Sequence, residues 1–122
     1  MALSLWLTIC IAFSSSLSAQ VDINPGFVDF GQLEIEESDT QSIYVHNESL
    51  HNIAIEDISL FGHSDININN YCPYVLTPGT ECEIEVVSDC REIGVIDSAI
   101  EIEFKDLWPE TVFIEVECVP SW

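Results

Sequence analysis

The sequence predicts an all-β protein, a β-sandwich of about seven strands closed by two disulfides and filling residues 20–122. Three observations predict it. Apolar residues recur with a period of two along short runs. Turn residues such as Asn24-Pro25-Gly26, Pro78-Gly79 and Glu92-Ile93-Gly94 separate those runs. Four cysteines follow the first apolar segment, and no later window carries a helical stripe.

The segment 1–19 contains no ionisable side chain; it runs apolar from Leu3 to Phe13 and then through small residues to Ala19. It is shorter than the roughly 20 apolar residues that a membrane span takes, so it reads as a secretory signal peptide cleaved near Ala19 or Ser18. Its positive charge comes from the α-amino group alone, and a retained membrane anchor is the alternative. Bulky Ile9 ahead of Cys10 argues against bacterial lipid attachment, so Cys10 is expected to leave with the signal. The mature chain is then expected to be secreted, extracellular or periplasmic, with no membrane attachment.

Strand by strand, Phe27 to Phe30 with Leu33 and Ile35 opens the pattern, and Ser42 to His46 follows with Ile43 and Val45 on one face. Ile53 and Ile55 give way to Ile58 and Leu60, a phase shift that predicts a bulge or bend at Glu56-Asp57. Glu83 to Val87, Ala99 to Phe104 and Val112 to Cys118 complete the set. Alternation places Cys82, Ile84 and Val86 inward, with Glu81, Glu83 and Glu85 outward. It likewise sends Ile100, Ile102, Phe104, Val112, Ile114, Val116 and Cys118 inward. Glu101, Glu103, Lys105, Phe113, Glu115 and Glu117 face out.

The chain carries 22 Asp and Glu against two basic side chains, Arg91 and Lys105, for a net charge of −20. That excludes nucleic acid as a partner, because phosphate binding needs clustered Lys and Arg. Hydrophobic residues make up 48% of the chain, too many for a disordered acidic segment. If the last two strands are neighbours, Glu101 and Glu103 lie across from or diagonal to Glu115 and Glu117, and opposed like charges destabilise a sheet. Salt screening over about 8 Å, bridging Ca²⁺ or a basic partner would each relieve the repulsion, which makes these four glutamates the candidate cation or basic-partner face. No EF-hand-like loop is present, and no dedicated metal site or cofactor is expected.

Cys72, Cys82, Cys90 and Cys118 remain after cleavage, an even number that reads as two disulfides with three possible connectivities. Zinc is disfavoured because no pair has C-x₂-C spacing and His46, His51 and His63 lie well upstream. The inward phase of Cys82 and Cys118 favours structural bridges over reactive thiols. Asn47-Glu48-Ser49 is an N-glycosylation sequon expected in a turn, so Asn47 is a candidate glycan acceptor. Tyr71, Tyr74, Trp108 and Trp122 are candidates for an exposed contact patch, although Trp108-Pro109 reads better as a hairpin whose indole folds back over the sheet. Neither Gly-x-Ser-x-Gly nor His-Glu-x-x-His occurs, and no enzyme activity is expected.

The segments NPGFVDFGQLEIEESDTQSIYVHNESLHNIAIEDISLFG and CPYVLTPGTECEIEV resemble the ASH-type (ASPM, SPD-2, Hydin) immunoglobulin-like domains, called choice-of-anchor D in bacterial secreted proteins. The matching positions are Pro25, Phe30-Gly31, Gln41, Asn47, Leu60 to Gly62, and Leu76-Thr77-Pro78-Gly79-Thr80-Glu81-Cys82, across nearly the whole mature chain. The resemblance implies an immunoglobulin-like sandwich and pairs Cys72 with Cys82, leaving Cys90 with Cys118. Two departures stand out: Ser88-Asp89-Cys90 replaces the usual aromatic-x-Pro element, and Glu117-Cys118-Val119-Pro120-Ser121-Trp122 replaces a Gly-rich ending. The second disulfide is expected to substitute for those elements. Family membership implies a non-catalytic structural or protein-interaction module. Standing as one module, it is expected to act as a small soluble binder or as a subunit joining other chains by edge-strand pairing. A Ca²⁺-responsive adhesive module is the alternative, and a small secreted enzyme comes after it.

Overall fold

The structure, a computed structural model, describes residues 20–121. Segment 1–19, read as a signal peptide and containing Cys10, and Trp122 lie outside the described residues. Nine strands follow in chain order among those described: β1 (Val21–Asn24), β2 (Phe27–Glu34), β3 (Ser38–Asn47), β4 (Ile53–Gly62), β5 (Ile66–Asn70), β6 (Val75–Leu76), β7 (Glu81–Asp89), β8 (Gly94–Phe104) and β9 (Glu110–Val119). They form a four-stranded sheet in the order β1-β3-β7-β5 and a five-stranded sheet in the order β2-β9-β8-β4-β6. Every pairing is antiparallel except that of β2 with β9.

The all-β sandwich with two disulfides is the one expected, with nine strands among the described residues where about seven were expected. Strand β5 reads Ile-Asn-Ile-Asn-Asn, and asparagine is depleted in strands. Here β5 is an edge strand whose asparagines face water, and Asn69 Nδ2 donates to Glu85. Strand β6 has only two residues, and β1 only four, on the opposite edges of the two sheets.

The inward residues of both sheets meet in one core. Val28, Ile43, Val45, Ile84, Val86, Ile100, Ile102, Val112, Ile114 and Val116 are fully or almost fully buried. Each such side chain contributes about 1.5–3 kcal/mol on leaving water. Two bulges keep the inward phase intact. In β4 the register shifts between Ile55 and Asp57, so Glu56 is left out of the ladder and both Ile55 and Ile58 reach the core, at the predicted place. In β2 it shifts between Asp29 and Gln32, where Gly31 adopts φ 66° and donates its N–H to Asp29 Oδ1 at 2.8 Å. Glycine takes that conformation without steric cost, and the bulge lets Phe30 and Leu33 both point inward.

Gly62 ends β4 against Ser98, its ladder partner. A Cβ there would meet Ser98 Oγ at 2.5 Å and Asp97 O at 2.9 Å, with φ already at +125°. The Gly62 of the family-like pattern is therefore required by the close approach of β8. Ser98 is itself buried, its hydroxyl accepting the His63 N–H at 3.1 Å.

Cys72 pairs with Cys82 and Cys90 with Cys118. The first bond ties the segment after β5 to β7; the second runs from the end of β7 to β9 and so joins the two sheets. In the chain-entropy model, separations of 10 and 28 residues correspond to about 2.7 and about 3.6 kcal/mol. Urea unfolding of the paired variants Cys72→Ala/Cys82→Ala and Cys90→Ala/Cys118→Ala is expected to show the larger loss for the second. The reverse order would mean that local packing outweighs loop length.

Candidate functional site

The outward face of the five-stranded sheet takes its pattern from register. Phe27 of β2 lies beside Phe113 of β9, Phe113 beside Ala99 of β8, and Ala99 beside Phe61 of β4. The three phenylalanines are 51%, 59% and 56% exposed in the order Phe27, Phe113, Phe61. They form a row across four strands, perpendicular to the chain direction. One step along the strands, Asp29, Glu115 and Asp97 form a parallel row of carboxylates. On the other side Glu101 lies between Thr111 and Ser59, and Glu103 lies opposite Asp57. An aromatic strip bordered on both sides by acids results. Large exposed apolar side chains gathered in one place, unlike scattered ones, mark contact surfaces.

The four glutamates singled out by sequence all lie on this face but are not matched as expected. Glu115 faces Asp97 and Glu117 faces Val95, while Glu101 faces Thr111. Strand β8 starts at Gly94 instead of near Ala99, and the hairpin loop spans 105–109, which slides β9 past the expected alignment. The inward Ser98 interrupts the apolar alternation and hid the first half of β8. The like-charge contact is therefore Asp29–Glu115–Asp97, with Glu103–Asp57 as a second. Gln32 Nε2 donates to Glu117 at 3.1 Å, which relieves that position.

The four-stranded sheet treats its acids differently. Glu83 accepts the Ser42 hydroxyl and Glu85 accepts Asn69 Nδ2. The ion pairs among the described residues involve His46, His63 and Arg91 with Glu48, Asp65, Glu92 and Asp89, none of them an acid bordering the aromatic strip. Among the described residues no three His, Cys, Asp or Glu side chains converge so as to hold a metal ion. The acids of the five-stranded sheet are spread in rows by strand spacing rather than gathered around a point.

Asn47 is not in a turn. It is the last residue of β3 and fully buried, at 0% exposure. Its Nδ2 donates to His51 O and to Leu76 O, both at 2.8 Å, while Oδ1 accepts from Ser49 N and Ser49 Oγ. Its backbone N–H donates to Thr80 O, and its carbonyl accepts from Gly79 N. A glycan on Nδ2 would remove one of those hydrogens and has no space in the fold, which corrects the reading of Asn47 as an acceptor. The sequon pattern is local, whereas the burial depends on Leu76 and the 77–80 turn.

His46 lies near the end of β3, while His51 and His63 lie in loops. His46 Nδ1 lies 3.9 Å from Glu48. His63 Nδ1 accepts from Asp65 N at 3.1 Å and Nε2 lies 3.3 Å from Glu92. Buried Asp65 accepts Arg91 N at 2.9 Å, which pins the turn before β8. His51 and Ser49 share a surface cleft, but Ser49 Oγ bonds to Asn47 Oδ1 and His51 O. Trp108 is 88% exposed in the β8–β9 loop, so its indole does not fold back over the sheet as expected. Tyr71 and Tyr74 are exposed around Cys72, far along the chain from Trp108. Sequence alternation had placed Phe113 outward, but the row with Phe27 and Phe61 needs register, which no local pattern carries.

No family model matches the chain, and no curated protein does. Among solved structures, PapD-like domain 7 of human CEP192, an ASH domain, matches at TM-score 0.70 and 11% identity over 86% of this chain and 89% of that one. A protein of unknown function from Porphyromonas gingivalis matches at TM-score 0.67 and 14% identity, over 86% of this chain and 51% of that one. The VesB protease of Vibrio cholerae matches at TM-score 0.65 and 16% identity over 80% of this chain. The chain spans only 32% of VesB and 21% of the related match, the secreted protease VesC. These likenesses show an immunoglobulin-like sandwich fold, similar to that of the ASH/PapD-like domain of CEP192.

Two outcomes follow from the geometry. Asn47→Ala is expected to lower stability by about 3 kcal/mol in urea unfolding, since it leaves buried partners unpaired; a loss under about 1 kcal/mol would refute the central role of this amide. Millimolar CaCl₂ is expected to raise the melting temperature no more than NaCl of equal ionic strength; a clearly larger shift would mean that the carboxylate rows bind the ion.

Proposed function

We propose that this domain is a secreted, non-catalytic module of immunoglobulin-like fold that works by protein contact. The observation that carries the reading is the extent of the structural likeness. The chain matches 89% of the single ASH/PapD-like domain of human CEP192 but a third or less of the proteases it matches. The match to nearly all of a single domain supports the module reading. The hydroxyl and amide groups nearest the histidines are engaged in fold-holding hydrogen bonds, which fits the same reading.

Two disulfides fit an oxidising compartment. No helix among the described residues is long and apolar enough to cross a membrane. With the signal-like segment 1–19, these observations support export, followed by a life as a folded extracellular or periplasmic domain. The resemblance to choice-of-anchor D domains supports the same compartment.

Expression with the native leader in a host with an oxidising export route tests this. The product is expected outside the cytosol, beginning near Gln20, with a mass showing four cysteines that resist alkylation until reduced. Four freely alkylated thiols, or retention of segment 1–19, would overturn the secreted reading.

A further inference from the structure

We propose that the outward face of the five-stranded sheet is a docking surface for a basic polypeptide segment that presents apolar side chains flanked by lysine or arginine. The proposal rests on the reading of the domain as a protein-contact module and specifies where contact is made and with what chemistry.

The pattern of the face selects the occupant. Strands lie about 4.8 Å apart, so the row Phe27, Phe113, Ala99, Phe61 spans about 14 Å. Ala99 separates Phe113 from Phe61, whose backbones lie about 10 Å apart, so that a methyl group lies between the two phenylalanines and leaves a notch there. A Phe27–Phe113 pair alone would be accounted for by lateral stabilisation of β2 on β9. Phe61 lies two strands further on and takes no part in that pair. The notch fits one leucine-sized or aromatic side chain held between rings, the arrangement in which aromatic anchors concentrate binding energy.

The carboxylate row Asp29, Glu115 and Asp97 lies about 7 Å to one side along the strands, two residues away at about 3.4 Å each; on the other side Glu101 lies at the same distance, and the Glu103–Asp57 pair lies four residues away, about 14 Å. Lysine and arginine side chains flanking an apolar anchor reach the nearer of these distances. On one side they meet Asp29, Glu115 and Asp97; on the other they meet Glu101, flanked by Thr111 and Ser59. Aligned acids repel one another across strands, and a cationic partner relieves that repulsion while gaining its own attraction. Charge complementarity also argues against two other occupants. A second copy, at a net charge of −20, would set one carboxylate row against another. An anionic membrane surface is repelled in the same way.

The test uses the full mature domain, ¹⁵N-labelled, titrated at low ionic strength with a short peptide whose apolar centre of leucine and phenylalanine is flanked by lysines. The controls are oligolysine of equal charge and the same apolar centre flanked by glutamates. Amide shifts are expected to map to β2, β9, β8 and β4, and the lysine-flanked peptide is expected to bind about tenfold more tightly than oligolysine. Phe27→Ser/Phe61→Ser/Phe113→Ser, altered only at exposed positions, is expected to lose that tenfold advantage while keeping its thermal transition. Asp97→Asn/Glu115→Gln is expected to weaken both lysine peptides and flatten their salt dependence. Should the triple variant fail to fold, Ala99→Glu, which fills the notch, replaces it with the same expected loss.

Equal affinity for oligolysine and the mixed peptide, no binding of either, or unchanged binding by the phenylalanine variant would overturn the proposal. Shifts confined to β1, β3, β7 and β5 would overturn the choice of face and leave the contact-module reading standing. Phenylalanine-dependent binding to zwitterionic vesicles without peptide binding would reassign the face to lipid, and a phenylalanine-dependent dimer would reassign it to self-association; either result would overturn it.

Discussion

Strand β9 is hydrogen-bonded along both edges, antiparallel to β8 and parallel to β2, and its inward residues end in the cysteine that bonds to the other sheet. Its phase is fixed by the core. A slip of one residue would turn Val112, Ile114, Val116 and Cys118 to water and bring Glu115 and Glu117 inside. Burying four such side chains is worth several times the 0.2–1 kcal/mol or so that a cross-strand like-charge pair costs. The core therefore decides the register, and the carboxylate row Asp29–Glu115–Asp97 is carried along with it. The aromatic strip beside it arises from the same register.

The two outer faces then diverge in chemistry although both are acidic. On the four-stranded sheet, Ser42 and Asn69 sit next to glutamates and donate to them, so charge is met within the fold. On the five-stranded sheet the neighbours of Glu115 are two more acids. Between the sheets, Asn47 joins the end of β3 to β6 and to the 77–80 turn through one side-chain amide and one peptide group. Polar groups at the loop end are consumed in holding the two layers together, which concentrates unsatisfied chemistry on the five-stranded face.

Much of this was legible in the sequence, and the limits have physical causes. Alternation in β7, β8 and β9 identified inward and outward residues correctly, and the phase change at Glu56-Asp57 located a real bulge. Those signals are local and come from burial itself. Strand β5 escaped because Asn67, Asn69 and Asn70 are tolerated only at a solvated edge. The first half of β8 escaped because Ser98 occupies an inward position where its hydroxyl meets the His63 N–H. The acids were paired wrongly for a separate reason: β9 begins at Glu110, two residues ahead of Val112, so that Ile102 pairs with Glu110 and Glu101 with Thr111. Phe27 and Phe61 could not be joined to Phe113 from sequence, since the three share a row only through two long-range ladders. Asn47 carried a local turn-and-sequon pattern whose meaning was reversed by Leu76, distant along the chain.

The parallel ladder between β2 and β9 has a consequence for how the protein is made. Phe27 finds its neighbour only once Phe113 has left the ribosome, and at about 5–20 residues per second that delay is roughly 4–17 s. Through that interval β2 has an unfilled edge and Phe27, Val28 and Phe30 lack their partner strand, whereas β3, β5 and β7 can assemble and Cys72 can meet Cys82. Nascent chains of this domain thus expose one sticky strand until the last strand arrives, and holdase chaperones that recognise extended apolar segments have a defined place and time at which to act.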